Sequence, residues 1–250
     1  MSTDRSGRPG RLTQVAATVV AVAAVLAACQ PTATDAGDRP ASSRQFPRAD
    51  RPVAGVVSNE FSNEKARDDR NEANTVMALA DVKPGMTVAD IGAGNGYYTV
   101  RLAERVGKKG RVLAQDIDDA ALQRLGTRVE RERLDNVSIK PSDGDDPRLP
   151  EASFDRIFMV HMYHEVTEPY AFIWRLRPAL KAGGQVIVVD VDRPTTRHGI
   201  PPKLLFCEFE AVGYKLVEFI EKPDIAGYFA RFEAVGAQVS PAKIKGCQQR

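Results

Sequence analysis

Cysteine, histidine and tryptophan are scarce in this chain, at three, three and one among 250 residues. No Cys-x-x-Cys pair and no His/Cys cluster at ligand spacing is present, which argues against a zinc ribbon or a dithiol redox centre. An excess of charge is missing as well. The formal net charge is +2, and residues 1–28 carry Arg5, Arg8 and Arg11 against Asp4, so the remainder is neutral. A neutral body has no global electrostatic reason to seek nucleic acid, and no nucleic-acid partner is expected. Long apolar runs are lacking too. The longest, residues 15–28, is Ala/Val-rich and ends at Cys29. As a helix it rises roughly 21 Å, short of a ~30 Å hydrocarbon core, so a permanent span is not expected.

What is present at the N-terminus is an address. Three arginines, the short apolar run and small residues before a cut make a secretory signal, residues 1–28. The ending Leu26-Ala27-Ala28-Cys29 resembles the bacterial lipobox, in which the cysteine takes a diacylglycerol. The resemblance implies a lipid-anchored protein on the periplasmic face of a bacterial membrane, with Cys29 lipidated; a cytoplasmic protein is the alternative. Residues 30–53 are rich in Pro, Ala, Ser, Asp and Arg, and residues 29–70 read as a flexible tether and N-terminal segment. Phe61, Arg67, Asp68 and Arg70 are candidates to cover a ligand, although a solvated charged stretch is preferred. Cys207 and Cys247 can pair in an oxidising compartment, but Cys247 lies in a polar tail, and no structural disulfide is expected.

From residue 71 the pattern changes to alternating strands and helices. Strands are expected at 87–91, 111–116, 137–140, 154–160, 185–190, 214–220 and 228–234. Helices are expected at 71–80, 97–106, 120–133, 169–180 and 201–212. This alternation predicts an α/β fold with a doubly wound, mostly parallel sheet over 71–240, followed by a tail, 241–250. In such a sheet ligands bind beyond the carboxyl ends of the strands. Gly92-Ala93-Gly94-Asn95-Gly96 stands there after the first strand, and Asp116 ends the second, placed to accept two hydrogen bonds from a ribose diol. A dinucleotide fingerprint would need glycine at position 97, where Tyr97 stands, and no phosphate-binding GxxxxGK[ST] loop occurs.

Residues 88–103, from Val88 through the glycine loop to Ala103, resemble the first motif of class I S-adenosylmethionine-dependent methyltransferases. Residues 110–118 are similar to the second motif, 143–155 to the adenine-side loop, and 176–184 to the turn before strand five. The resemblance covers about residues 71–240, in family order and spacing. It implies a seven-stranded Rossmann-like sheet of order 3-2-1-4-5-7-6 and S-adenosylmethionine as cofactor. Asp90, Gly92 and Gly94 would line the methionine end, Asp116 would bind the ribose hydroxyls, and Asp143 would accept a hydrogen bond from the adenine amino group. Ala93, Gly96, Ile117 and Gly144 would also contact the cofactor.

Methyl transfer needs an acceptor held close, aligned and dry more than it needs a base. His161 and His164, after strand four, are the candidate catalytic residues, His164 foremost as a base or orienter; packing under the next helix is the other reading. Tyr163 and Glu165 are weaker candidates. Two histidines three apart with one glutamate lack a third ligand, so no metal is expected. No Asn/Asp-Pro-Pro-Tyr loop follows strand four, which disfavours amino-nitrogen acceptors on nucleic acid. The expected activity is methylation of oxygen or carbon on a small or envelope-associated acceptor. A non-catalytic exported module binding an adenosyl ligand is the alternative. Residues 195–212 and 222–228 would shape the acceptor pocket.

Overall fold

The computed structural model describes residues 39–53, 55, 63–225 and 227–248. The signal segment, Cys29 and Phe61 lie outside the described residues. Two short helices, α1 (Glu64–Asp69) and α2 (Glu72–Leu79), precede the first strand. The strands are β1 (Thr87–Ile91), β2 (Arg111–Asp116), β3 (Val137–Pro141), β4 (Phe154–Val160), β5 (Leu180–Asp190), β6 (Tyr214–Lys222) and β7 (Gly227–Ala234). Between them run α3 (Tyr97–Val106), α4 (Asp119–Glu132), α5 (Pro169–Leu176) and α6 (Pro202–Ala211).

These strands form one seven-stranded sheet in the order β3-β2-β1-β4-β5-β7-β6. β1 through β5 pair in parallel, and β7 runs antiparallel to both β5 and β6. The fold class and strand order are those expected. β4 shows how the sheet is buried: Ile157 and Met159 join a core beneath α5 and α6, while Phe158 joins the opposite core beneath α2 and α3. Successive side chains of a strand point to opposite faces, so a strand packed on both sides is apolar throughout.

Four local readings are corrected. Cys207 and Cys247 form a disulfide, Cα atoms 6.0 Å apart, joining α6 to the C-terminal segment. Cys247 is 4% exposed, in a segment that reads as polar but is pinned by Ile244 burying beside it and by the Cys247 N–H donating to Tyr170 Oη. The tether reading fails for 39–53, because a few anchors outweigh a polar composition. Phe46 is buried edge-on against Trp174, and the fully buried Arg51 pairs with Glu208 at 2.9 Å. Arg67 is no solvated side chain either: α1 packs on α3, with Arg67 paired to Glu72 and Asp68 to Arg101. Finally, α5 stops at Leu176 because Pro178 follows and has no N–H to continue the helix. β5 then starts at Leu180, earlier than expected, across an irregular pairing with β4 that absorbs Gly183 and Gly184.

Candidate active site at the strand ends

The parallel registers bring the carboxyl ends of β1, β2, β4 and β5 to one edge, and the chemistry-bearing residues gather there. After β1 the chain turns through Gly92, Gly94 and Gly96 at φ of 70°, 53° and 86°. At Gly92 a Cβ would sit 2.9 Å from Met162 Cβ and Cγ, so only glycine fits beneath the loop after β4. At Gly94 the missing Cβ opens into empty space. The Gly94 N–H donates to Asp116 Oδ2 at 2.8 Å, and the Asp118 N–H to Oδ1 at 3.0 Å. Each carboxylate oxygen keeps a lone pair for another donor.

Asp90 is buried and accepts a hydrogen bond from the Thr99 hydroxyl at 2.6 Å. Burial raises its pKa to about 6, with Asp116 adding repulsion and Arg67 opposing. Ile117, next to Asp116, is 51% exposed, an apolar surface left open beside the acid. Ala93 fixes the loop by donating its N–H to the Gln115 carbonyl. Within the acidic loop Asp145 is committed to structure, accepting from Ser42, Ser43 and Arg175. Asp143 is ion-paired with Arg148 and half-exposed beside Gly144. An open cradle over Gly94, a carboxylate with spare lone pairs and an exposed apolar neighbour fit a nucleoside ligand such as S-adenosylmethionine.

The two candidate histidines part company. His161 Nε2 lies 3.6 Å from Glu72 on α2, and burial holds its pKa below the usual imidazole range despite that carboxylate. Against a burial penalty, His161 and Arg67 together hold Glu72 itself down to about 2. His164, fully buried, faces β5. Its Nδ1 lies 2.9 Å from Asp190 Oδ2 and 3.0 Å from Oδ1, so Nδ1 carries the proton it donates to the carboxylate. Its Nε2 has no hydrogen-bond partner among the described residues and lies 3.8 Å from Glu165 Oε1. His198, in the turn after β5, places Nδ1 3.5 Å from the same oxygen. Burial raises the Glu165 pKa. Tyr163 turns away to donate to Glu208 at 2.7 Å.

Sequence reasoning missed Asp190, His198 and Met162. Asp190 carried a signal, since it ends β5 as Asp116 ends β2. His198 falls within the segment 195–212 expected to shape the acceptor pocket, but no motif tied it to His164, 34 residues away.

A family model described as a methyltransferase domain matches residues 88–184. Among curated relatives, the ubiquinone/menaquinone biosynthesis C-methyltransferase of Shewanella sp. strain ANA-3 is 30% identical over 119 residues, 47% of each chain. Its counterpart in Shewanella baltica is 29% identical over 147 residues, 58% of each. The chain thus spans about half the length of the curated relatives it matches. A solved S-adenosylmethionine-dependent methyltransferase of Aquifex aeolicus superposes with a TM-score of 0.60 at 26% identity, covering 69% of this chain and 96% of the other. The [4+2]-cyclase SpnF shares the fold at a TM-score of 0.58 and 17% identity, covering 74% and 71%. Residues 88–184 thus match a methyltransferase domain, in a chain whose sheet shares the fold of a solved S-adenosylmethionine-dependent methyltransferase, and this likeness implies S-adenosylmethionine as the cofactor.

Proposed function

We propose that the protein transfers a methyl group from S-adenosylmethionine to carbon or oxygen of a small or envelope-associated acceptor. The observation that carries this reading is the Gly94 N–H bound to Asp116 beneath an open cradle, with buried Asp90 alongside. Asp116 and Ile117 hold the ribose and adenine side, joined by Asp143 and Gly144, and Asp90 answers the methionine ammonium through the Gly92–Gly96 loop. The cofactor supplies an electrophilic methyl group, so the chain's own task is to position the acceptor and exclude water. His164, oriented by Asp190, is the imidazole that meets the acceptor through Nε2, and His161 supports the loop from the α2 side. The curated relatives are C-methyltransferases by name, which favours carbon over oxygen.

Calorimetric titration of the full-length protein with S-adenosylmethionine and S-adenosylhomocysteine tests the reading. Micromolar binding, about −8 kcal/mol, is expected for the wild type and at least tenfold weaker binding for Asp116→Ala. Equal affinity in both would end it.

A second reading is a non-catalytic exported module that binds an adenosyl ligand, since a shared fold does not by itself fix an activity. Formation of S-adenosylhomocysteine on adding envelope extract separates the two. Export with lipidation of Cys29 is part of the proposal, and the Cys207–Cys247 disulfide supports it, since such bonds persist in oxidising compartments. Incorporation of labelled fatty acid into wild type but not Cys29→Ala is the expected result; an unlabelled wild type would refute anchoring.

A further inference from the structure

We propose that His164, Glu165 and His198 form a binding site for a divalent transition-metal ion, zinc being the best match. Two loops that follow adjacent parallel strands, β4 and β5, bring these residues together. One ligand atom from each lies within 4.8 Å of the others, and both imidazoles approach the same Glu165 oxygen, at 3.8 and 3.5 Å. Donors around a tetrahedral zinc at about 2.0–2.2 Å stand roughly 3.3 Å apart, so modest side-chain rotation closes the set. Two imidazoles and one carboxylate suit zinc and its neighbours, and they leave a fourth position open.

The surroundings are built as such sites are built. His164 gives its Nδ1 proton to Asp190, which aims the Nε2 lone pair away from β5, and this carboxylate–histidine pairing is what orients metal-bound imidazoles. The turn carrying His164 and Glu165 is braced by Arg51, whose guanidinium donates to the carbonyls of Tyr163, His164 and Val166. Arg193 donates to the carbonyl of His198 at 3.0 Å, steadying the second loop. The two ring planes meet at 82°, with centroids 5.6 Å apart, so the imidazoles converge edge to face rather than stacking. Two carboxylates, those of Glu165 and Asp190, stand against the imidazoles, a donor set that suits a divalent cation. His164 is fully buried and its Nε2 has no hydrogen-bond partner among the described residues, a costly state for a polar atom with no ligand to meet. Once an ion is bound, Nε2 is a ligand, so in the metal-loaded protein His164 holds the ion, and the acceptor role proposed above belongs to the metal-free form.

The test uses full-length protein freed of metal by a chelator and titrated with Co2+, followed by displacement with Zn2+. One equivalent of Co2+ is expected to give visible absorption bands of four- or five-coordinate geometry, lost on adding one equivalent of Zn2+. Glu165→Gln and His198→Ala should each weaken binding at least tenfold. Asp190→Asn should weaken it by about 10–100-fold as a partner behind the ligand. Lys109→Ala, exposed in the turn before β2, should leave binding unchanged, and near-native circular dichroism of each variant separates lost binding from misfolding. Absence of the cobalt bands, or equal affinity in His198→Ala, would overturn the proposal. Neither readout depends on S-adenosylmethionine, so the metal site and the methyltransferase reading fail separately.

Discussion

Replacing Asp90 by asparagine should make the protein more stable at neutral pH while weakening its hold on the cofactor. The carboxyl group is 3% exposed and its pKa is raised to about 6 from an ordinary 3.8, chiefly by burial. Below 3.8 both native and unfolded states carry the proton, and there is no penalty. Between 3.8 and 6 only the native state holds it, so stability falls as pH rises. Above 6 the full cost of a buried charge applies, about 3 kcal/mol for this shift. Asparagine keeps an acceptor for the Thr99 hydroxyl, and its unpaired amide returns about 1 kcal/mol of that gain. The net expectation at pH 7.5 is about 2 kcal/mol of stabilisation, or ~4–8 °C in Tm for a chain of this size. At pH 4.5 the two proteins should be nearly equal. Urea unfolding of both at the two pH values measures this directly, and a gap that is absent at pH 7.5, or the same at both, refutes the reasoning. Calorimetry on the same variant should show loss of S-adenosylmethionine affinity, because the ammonium has lost its anionic partner.

Two other outcomes follow from the geometry. Gly94→Ala meets no neighbouring atom, and its left-handed backbone costs only about 1 kcal/mol, yet the methyl group enters the cradle; near-wild-type melting with at least tenfold weaker cofactor binding is expected, and unchanged binding would place the ligand elsewhere. Cys207→Ser closes no loop across 40 residues and should lower stability by up to about 4 kcal/mol in chain-entropy terms; non-reducing urea melts of variant and wild type read the loss, and coincident curves would show that the bond does not hold the C-terminal segment.

Much of this molecule is legible from its residues because local pattern and tertiary demand coincide. The run Val186–Val189 is apolar throughout because β5 is covered on both faces, and the glycines at 92, 94 and 96 stand where the backbone turns left-handed. Asp90 and Asp116 end up at one edge because parallel register leaves no other place for them. Arg51 and Phe46 were illegible for the opposite reason: one buried ion pair and one ring hold a segment whose composition is that of a solvated chain. The disulfide was illegible because sequence gives the count of thiols and never their distance. His198 joins Glu165 only through the way two loops fold back, which no spacing rule encodes.

The bonds that Arg51 makes bear on how the protein can be cut. A fragment trimmed to the matched segment, or one starting just before α1, keeps the glycine loop and the first four strands. It also leaves the carbonyls of Tyr163, His164 and Val166 without their donor, and wherever α6 is retained it strands Glu208 as an uncompensated buried charge. Removing one member of such a pair typically costs about 3–5 kcal/mol. An excised domain would therefore lose the bracing of its own histidine turn, and the smallest functional unit begins upstream of residue 51, among residues that look like spacer.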